Sequence, residues 1–295
     1  MRNRIIATFL CFILSLSLFG CSDGNTSSTK PGADTTFSIH FIDVGQGDSA
    51  LVECDGHYML IDGGDTSTED RVYDLLVSKG IQHLDILAIS HLHKDHIGGL
   101  PKALTFVTQI DRTISNSDEK NTDIFRKFEQ ELLTNGAQIT VPRTGALPGS
   151  GDTYQLGSAT VEVIDVSSEE ENDSLVLLIT YGDTRFLFTG DIEDAAQKRI
   201  ADKYESASDE AFKIDLIKMP HHGSYTSTLY RFLRTFMPDY AVISVGSGNT
   251  YGHPHQETLD LLDSKTWKPK LYRTDLDGDI IVKSDGKDVS VETTN

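Results

Sequence analysis

Residues 90–99 read SHLHKDHIGG, and this stretch limits what the chain can be more than any other. Three of the ten histidines and an aspartate fall within His91–His96. Imidazoles this close repel one another once protonated, and so polar a cluster packs poorly into an apolar core. Something has to hold it together. The apolar run LDILAIS (84–90) reads as a buried strand whose end delivers the cluster. His91 and His93 are two apart and point the same way, while Asp95 and His96 open the helix that follows. Two imidazoles and a carboxylate–imidazole pair converging from one loop suit zinc, and also iron or manganese. The alternative is a solvated, histidine-rich turn.

The rest of the chain shows what carries that loop. FSIHFIDV (37–44), ALVECD (50–55) and HYMLID (57–62) read as strands, and EDRVYDLLVSKG (69–80) as a helix closed by Gly80. TDIFRKFEQELLTNG (122–136) repeats apolar residues at helical spacing. The second half is built alike. SLVLLITY and TRFLFTGD are joined by the tight turn Gly182-Asp183, and strands follow at 213–219, 239–245 and 270–274 with helices between them. Pattern alone gives an α/β or α+β class with mixed sheets. Hairpins first and helices afterwards, in each half, predict two packed sheets with helices outside, a four-layer αββα sandwich. It forms one domain over 37–295.

HLHKDH matches the HxHxDH signature of the metallo-β-lactamase superfamily. Five further stretches resemble the hydrolase-like domain of ComEC-type competence proteins and their free-standing relatives: FIDVGQGDSALVE (41–53), MLIDGG (59–64), NDSLVLLITYGDTRFLFTGD (172–191), MPHHGS (219–224) and ISVGSGNTYGHP (243–254). The resemblance implies the metallo-β-lactamase fold and a centre of two divalent ions, zinc with manganese as the alternative. It implies His91 and His93 on the first metal, Asp95 and His96 on the second, Asp191 bridging both, and His221 or His222 completing the second site. Asp95 is then both ligand and catalytic group. Asp62 lies behind the ligands as an acceptor for a ligand imidazole, and Asp48, in the GQGDS turn, buttresses the metal loop. Many superfamily enzymes supply a further mid-chain histidine, but none lies between His96 and His221 here. Asn172, Asp173 or water takes that place, so the first site is expected to be the more labile.

Read singly, several of these residues have plainer uses. Asp191 also suits a helix N-cap for IEDAAQKRIADKY, His221-His222 an ordinary loop, and Asp62-Gly63-Gly64 a turn. TYGHPH (250–255) places Tyr251, His253 and His255 on a loop after a strand. There His253 is a candidate proton donor to the leaving group, or a hydrogen bond to a substrate oxygen; Pro254 makes a helix-entry turn the alternative. Cys54, the one cysteine after the tether, reads as a small buried apolar group.

The first residues are organised differently. MRNR precedes a fifteen-residue apolar run, short for a spanning helix and suited to a signal peptide over 1–20. Leu18-Phe19-Gly20-Cys21 resembles a bacterial lipobox, implying lipidation at Cys21; an ordinary signal peptide or an uncleaved anchor are the alternatives. Residues 21–36, rich in Ser, Thr and Gly, then form a flexible tether. The net charge is −19, and −21 once Arg2 and Arg4 are removed with the leader. That charge gives no general attraction to nucleic acid or anionic membrane, although bound dications reverse the field locally. The expectation is an extracytoplasmic, membrane-anchored, metal-dependent hydrolase acting through a metal-activated hydroxide. Its substrate is a phosphodiester of nucleic acid or cell-wall polymer. A lactamase or lactonase of small molecules and a non-catalytic metal-binding module are the alternatives.

Overall fold

The computed structural model describes residues 36–167, 172–207, 212–264 and 267–295. The signal segment, the lipobox with Cys21 and nearly all of the tether lie outside the described residues. Among the described residues no helix is long and apolar enough to cross a membrane.

Strands in both halves alternate their side chains between two faces, and both faces are covered. In Val176–Tyr181 the odd residues Leu177 and Ile179 enter one core, while Val176 and Leu178 enter another. Strands buried on both faces must lie inside a layered stack. The first sheet runs in the order Val289–Thr293, Ile280–Ser284, Phe37–Phe41, Ala50–Cys54, His57–Ile61, Ile86–Ile89, Thr113–Ser115, Ile139–Thr140. The second runs Lys270–Arg273, Tyr240–Ile243, Leu216–Lys218, Thr184–Phe188, Val176–Tyr181, Ala159–Asp165, Thr153–Leu156. Between them stack Phe37 on Tyr181 and Phe186, and Phe41 on Phe188, at ring separations of 4.9, 4.9 and 5.5 Å. Helices Glu69–Lys79 and Asp123–Thr134 cover the outside of the first sheet. Asp194–Ala207, Tyr230–Phe236 and Gln256–Leu262 cover the outside of the second. This is the predicted αββα sandwich. Strands at 113–115, 139–140, 153–156, 159–165, 280–284 and 289–293 complete the sheets beyond those the sequence pattern marks.

Each sheet begins antiparallel and continues parallel. His57–Ile61 pairs antiparallel with Ala50–Cys54 but parallel with Ile86–Ile89; Thr184–Phe188 pairs antiparallel with Val176–Tyr181 but parallel with Leu216–Lys218. Parallel strands all end on one side. The loops leaving Ile61, Ile89, Phe188, Lys218 and Ile243 therefore gather at one edge of the sandwich, and the polar motifs lie in those loops.

Candidate metal centre

Asp62 leaves the first of these strands buried and takes two hydrogen bonds from Ser90, from the amide at 2.8 Å and the hydroxyl at 2.7 Å. Its Oδ2 also faces His96 Nδ1 at 2.9 Å. A neutral imidazole donating from Nδ1 would turn a bare Nε2 the other way. His96 Nε2 points at Asp191 Oδ2, 3.3 Å away, and stands 4.0 Å from Asp95 Oδ2. His222 Nδ1 donates to the Ser244 carbonyl at 3.0 Å. Its Nε2 lies 3.3 Å from Asp95 Oδ2 and 3.5 Å from Asp191 Oδ2. Asp95, His96, Asp191 and His222 thus bring one donor atom each within 4.8 Å of one another. Among the described residues, Asp191 Oδ1 and His222 Nε2 are buried without a hydrogen-bond partner. A set of two imidazoles and two carboxylates with buried, unsatisfied lone pairs fits a divalent ion.

Backbone geometry holds these groups in place. Asp191 follows Gly190, whose φ is +52°; a Cβ there would lie 2.6 Å from Ser174 Cβ and 2.8 Å from Ser90 Cβ. The Asp191 amide donates to Ser174 Oγ at 3.0 Å. The helix opens only at Asp194, so Asp191 lies outside the cap position that its sequence context also allowed. His221 and His222 both adopt left-handed backbone, φ 47° and 52°, at roughly 1–2 kcal/mol per residue. That strained turn separates the pair. His222 is buried in the donor set, whereas His221 is partly exposed, with Nδ1 against Ser227 Oγ (3.2 Å) and Glu193 Oε1 (3.4 Å) and Nε2 3.9 Å from Asp191. On the other side, Gly47 lets the GQGDS turn lie on the metal loop, since a Cβ there would sit 2.3 Å from the Asp95 carbonyl oxygen.

His91 and His93 stand beside the four-donor set. Their Nε2 and Nδ1 atoms are 2.9 Å apart, and His91 Nε2 is 4.0 Å from Asp191 Oδ2. The two residues offered as their oxygen partners turn elsewhere. Asp173 accepts from Ser167 Oγ at 2.5 Å and lies 3.9 Å from Arg199, and the Asn172 amide donates to Glu193 Oε1 at 3.0 Å. His253 is half-buried, its ring 5.5 Å from that of His221 and stacked 5.7 Å from Tyr251. Burial, reinforced by His222, His221 and His255, pulls its pKa down to about 4. It is therefore a neutral imidazole at pH 7. That favours its second reading, a hydrogen bond to a substrate oxygen, over a proton donor.

Electrostatics divides the histidines. Burial opposes charge on His96, but Asp191, Asp62 and Asp95 outweigh it and hold the ring protonated far above the usual range. His222 is likewise pushed up to about 10 against its burial, by Asp191, Asp48 and Asp95. His91 moves the opposite way, through burial and the neighbouring His96. Asp191 is held well below the usual carboxylate range, its burial outweighed by His222 and His96.

Several groups in the site carried no motif signal. Glu193 ties His221, Asn172 and Thr226 together. Lys218 is 2% exposed and forms an ion pair with Asp48. Its signal was available: Leu216 faces inward and Ile217 outward, so alternation turns a lysine into the inter-sheet space.

A family model for the metallo-beta-lactamase superfamily matches residues 42–247. The chain belongs to that superfamily of metal-dependent hydrolases. Within it the chain is similar to competence proteins. It is 30% identical over 260 residues to ComE operon protein 3 of Bacillus subtilis (strain 168), covering 82% of this chain and 32% of that protein. It is 28% identical over 243 residues to Competence protein ComA of Neisseria gonorrhoeae, covering 80% and 30%. The chain thus spans about a third of the length of these curated relatives. Among solved structures, the metallo-beta-lactamase fold protein YhfI from Bacillus subtilis superposes with a TM-score of 0.52 at 11% identity, over 81% of this chain and 96% of that one. Tm1679, described as a metal-dependent hydrolase of the beta-lactamase superfamily, gives 0.50 at 15% identity over 80% and 95%.

Proposed function

We propose that the chain is an exported, membrane-tethered, metal-dependent phosphodiesterase. The observation that carries the reading is the convergence of Asp95, His96, Asp191 and His222 around buried, unpartnered donor atoms at the mouth of the strand ends. A bound divalent ion supplies a nucleophile at neutral pH and polarises the ester under attack. The chain's own residues do the rest. Asp62 and the Ser244 carbonyl fix the outer nitrogens of His96 and His222, so that both rings present Nε2 to the cleft. Asp191 would serve both this set and the first, weaker zinc or manganese site that His91 and His93 would hold. Neutral His253 and partly exposed His221 line the approach as hydrogen-bonding groups. The similarity to competence proteins supports a phosphodiester over a lactam or lactone. Nucleic acid and cell-wall polymer both supply such a diester.

The test is metal analysis of the purified protein with a hydrolysis screen over bis(p-nitrophenyl) phosphate, a chromogenic β-lactam and a lactone. Metal-dependent cleavage of the diester alone is expected. Cleavage of only the lactam or lactone, or bound metal without any turnover, would replace this reading with the corresponding alternative. The tether rests on Leu18-Phe19-Gly20-Cys21. The protein is expected in the membrane fraction carrying lipid label, and Cys21→Ala is expected to abolish the label. A mature form starting at any other residue would remove the lipid anchor.

A further inference from the structure

Resting on that metal-dependent reading, we propose that Lys218 decides which side chains may hold the metal. Two overlapping donor sets share the His96 ring. The outer set uses Nε2 with Asp95, Asp191 and His222, and the inner set uses Nδ1 with Asp48 and Asp62. All three inner residues are buried, and their donor atoms also lie within 4.8 Å of one another. The inner triad therefore has metal-ligand spacing in a dry site, where a dication would find two carboxylates. Capture there would take His96 by the wrong nitrogen and leave the outer set one ligand short.

Each inner carboxylate already has a partner, although Asp48 Oδ1 is buried without a hydrogen bond among the described residues. Ser90 occupies Asp62 with two hydrogen bonds. Asp48 is claimed by the Lys218 ammonium, which pairs with its Oδ2. Nζ also donates to the Gly190 carbonyl at 3.3 Å and comes within 3.9 Å of Asp191 Oδ1. Lys218 reaches this point from the centre of the second sheet, between two parallel neighbours, so the main chain allows it little room to withdraw. A fixed positive charge at the inner triad repels a dication from it while neutralising the carboxylate that would attract one. Lys218 is a positioning residue: it touches no substrate and confines the ion to the outer set.

The test uses the full chain purified in detergent, titrated with Zn2+ against a chelating dye and with Co2+ by visible absorption. Lys218→Met exposes Asp48 as a competing ligand. It is expected to weaken the tight Zn2+ site by roughly 10–100-fold, the range for losing an outer-shell partner, and to alter the Co2+ bands. Adding Asp48→Asn to Lys218→Met removes the competitor and is expected to restore both readings. A role limited to general stability predicts no such rescue of ligand field. Wild-type affinity and spectrum in Lys218→Met, or no recovery in the double variant, would overturn the proposal. Should Lys218→Met fail to fold, the double variant decides: it removes the whole buried pair and must keep the wild-type Co2+ spectrum. A wild-type chain that takes up neither ion sinks the hydrolase reading and this proposal with it, whereas a normal wild type with an indifferent Lys218→Met sinks this proposal alone.

Discussion

Protons and metal compete for the same nitrogens at His96 and His222. Without metal, neighbouring carboxylates hold both rings protonated at neutral pH, His222 up to about 10. Metal binding must expel those protons. Calorimetric Zn2+ titration at pH 7 in buffers of different ionisation enthalpy is therefore expected to show proton release, with affinity falling as pH is lowered. Heats independent of buffer would contradict the proton inventory given for these rings. Asp191 faces four histidines at 3.3–4.0 Å, so Asp191→Ala is expected to take bound metal and turnover together to the detection limit. His253→Ala is expected to keep the metal and to lose about tenfold in turnover, the worth of one hydrogen bond of ~1.4 kcal/mol. Because His253 is already neutral, the loss should be flat between pH 6 and 8. Kinetics of both variants alongside metal content would check this, and a His253 defect confined to one side of neutrality would favour the proton-donor role instead.

At the scale of elements, the turns matter more than the strands they leave. Gly190 joins Thr184–Phe188 to Asp191 in left-handed backbone, pressed between Ser174 and Ser90. Gly190→Ala combines an unfavourable φ with contacts no methyl group can make. It is expected to cost about 1–3 kcal/mol of stability and to shift Asp191 off the Ser174 hydroxyl. Thermal unfolding with and without Zn2+ would measure both, since displacement of Asp191 predicts a smaller metal-induced rise in melting temperature than wild type. An equal rise would confine the damage to backbone strain. The strands themselves were legible because period-two burial is written in residue type. The consecutive left-handed pair His221-His222 was not, because nothing in HHGS says that two non-glycine residues will accept positive φ. That turn is what sends His222 inward and leaves His221 at the rim.

For the whole molecule, burying so many charged groups at one edge makes stability depend on pH. In the metal-free protein the folded pKa of His222 lies above its ordinary 6.5; its contribution is fully present below pH 6.5 and is lost as pH rises toward about 10. His91 and His253 are depressed, so the fold must shed their protons and loses stability as pH falls below 6.5. Chemical denaturation across pH is expected to peak near 6.5 without metal, with the alkaline fall reduced by Zn2+, which holds the His222 nitrogen in place of the proton. A metal-free profile still rising at pH 9 would contradict this. Apolar alternation gave mixed sheets, the order of hairpins and helices in each half gave the αββα layering, and the motif loops follow from where each strand ends, so these were readable from residue order. The HLHKDH cluster likewise pointed to a metal centre, although only its Asp95 and His96 enter the four-donor set. Only the packed sheets decided that His222 rather than His221 joins Asp95, that Asp173 turns to Ser167 and Arg199, and that Lys218 meets Asp48 from 170 residues away. Those outcomes depend on which side chains two separately folded sheets press against each other, and no local pattern encodes a contact between sheets.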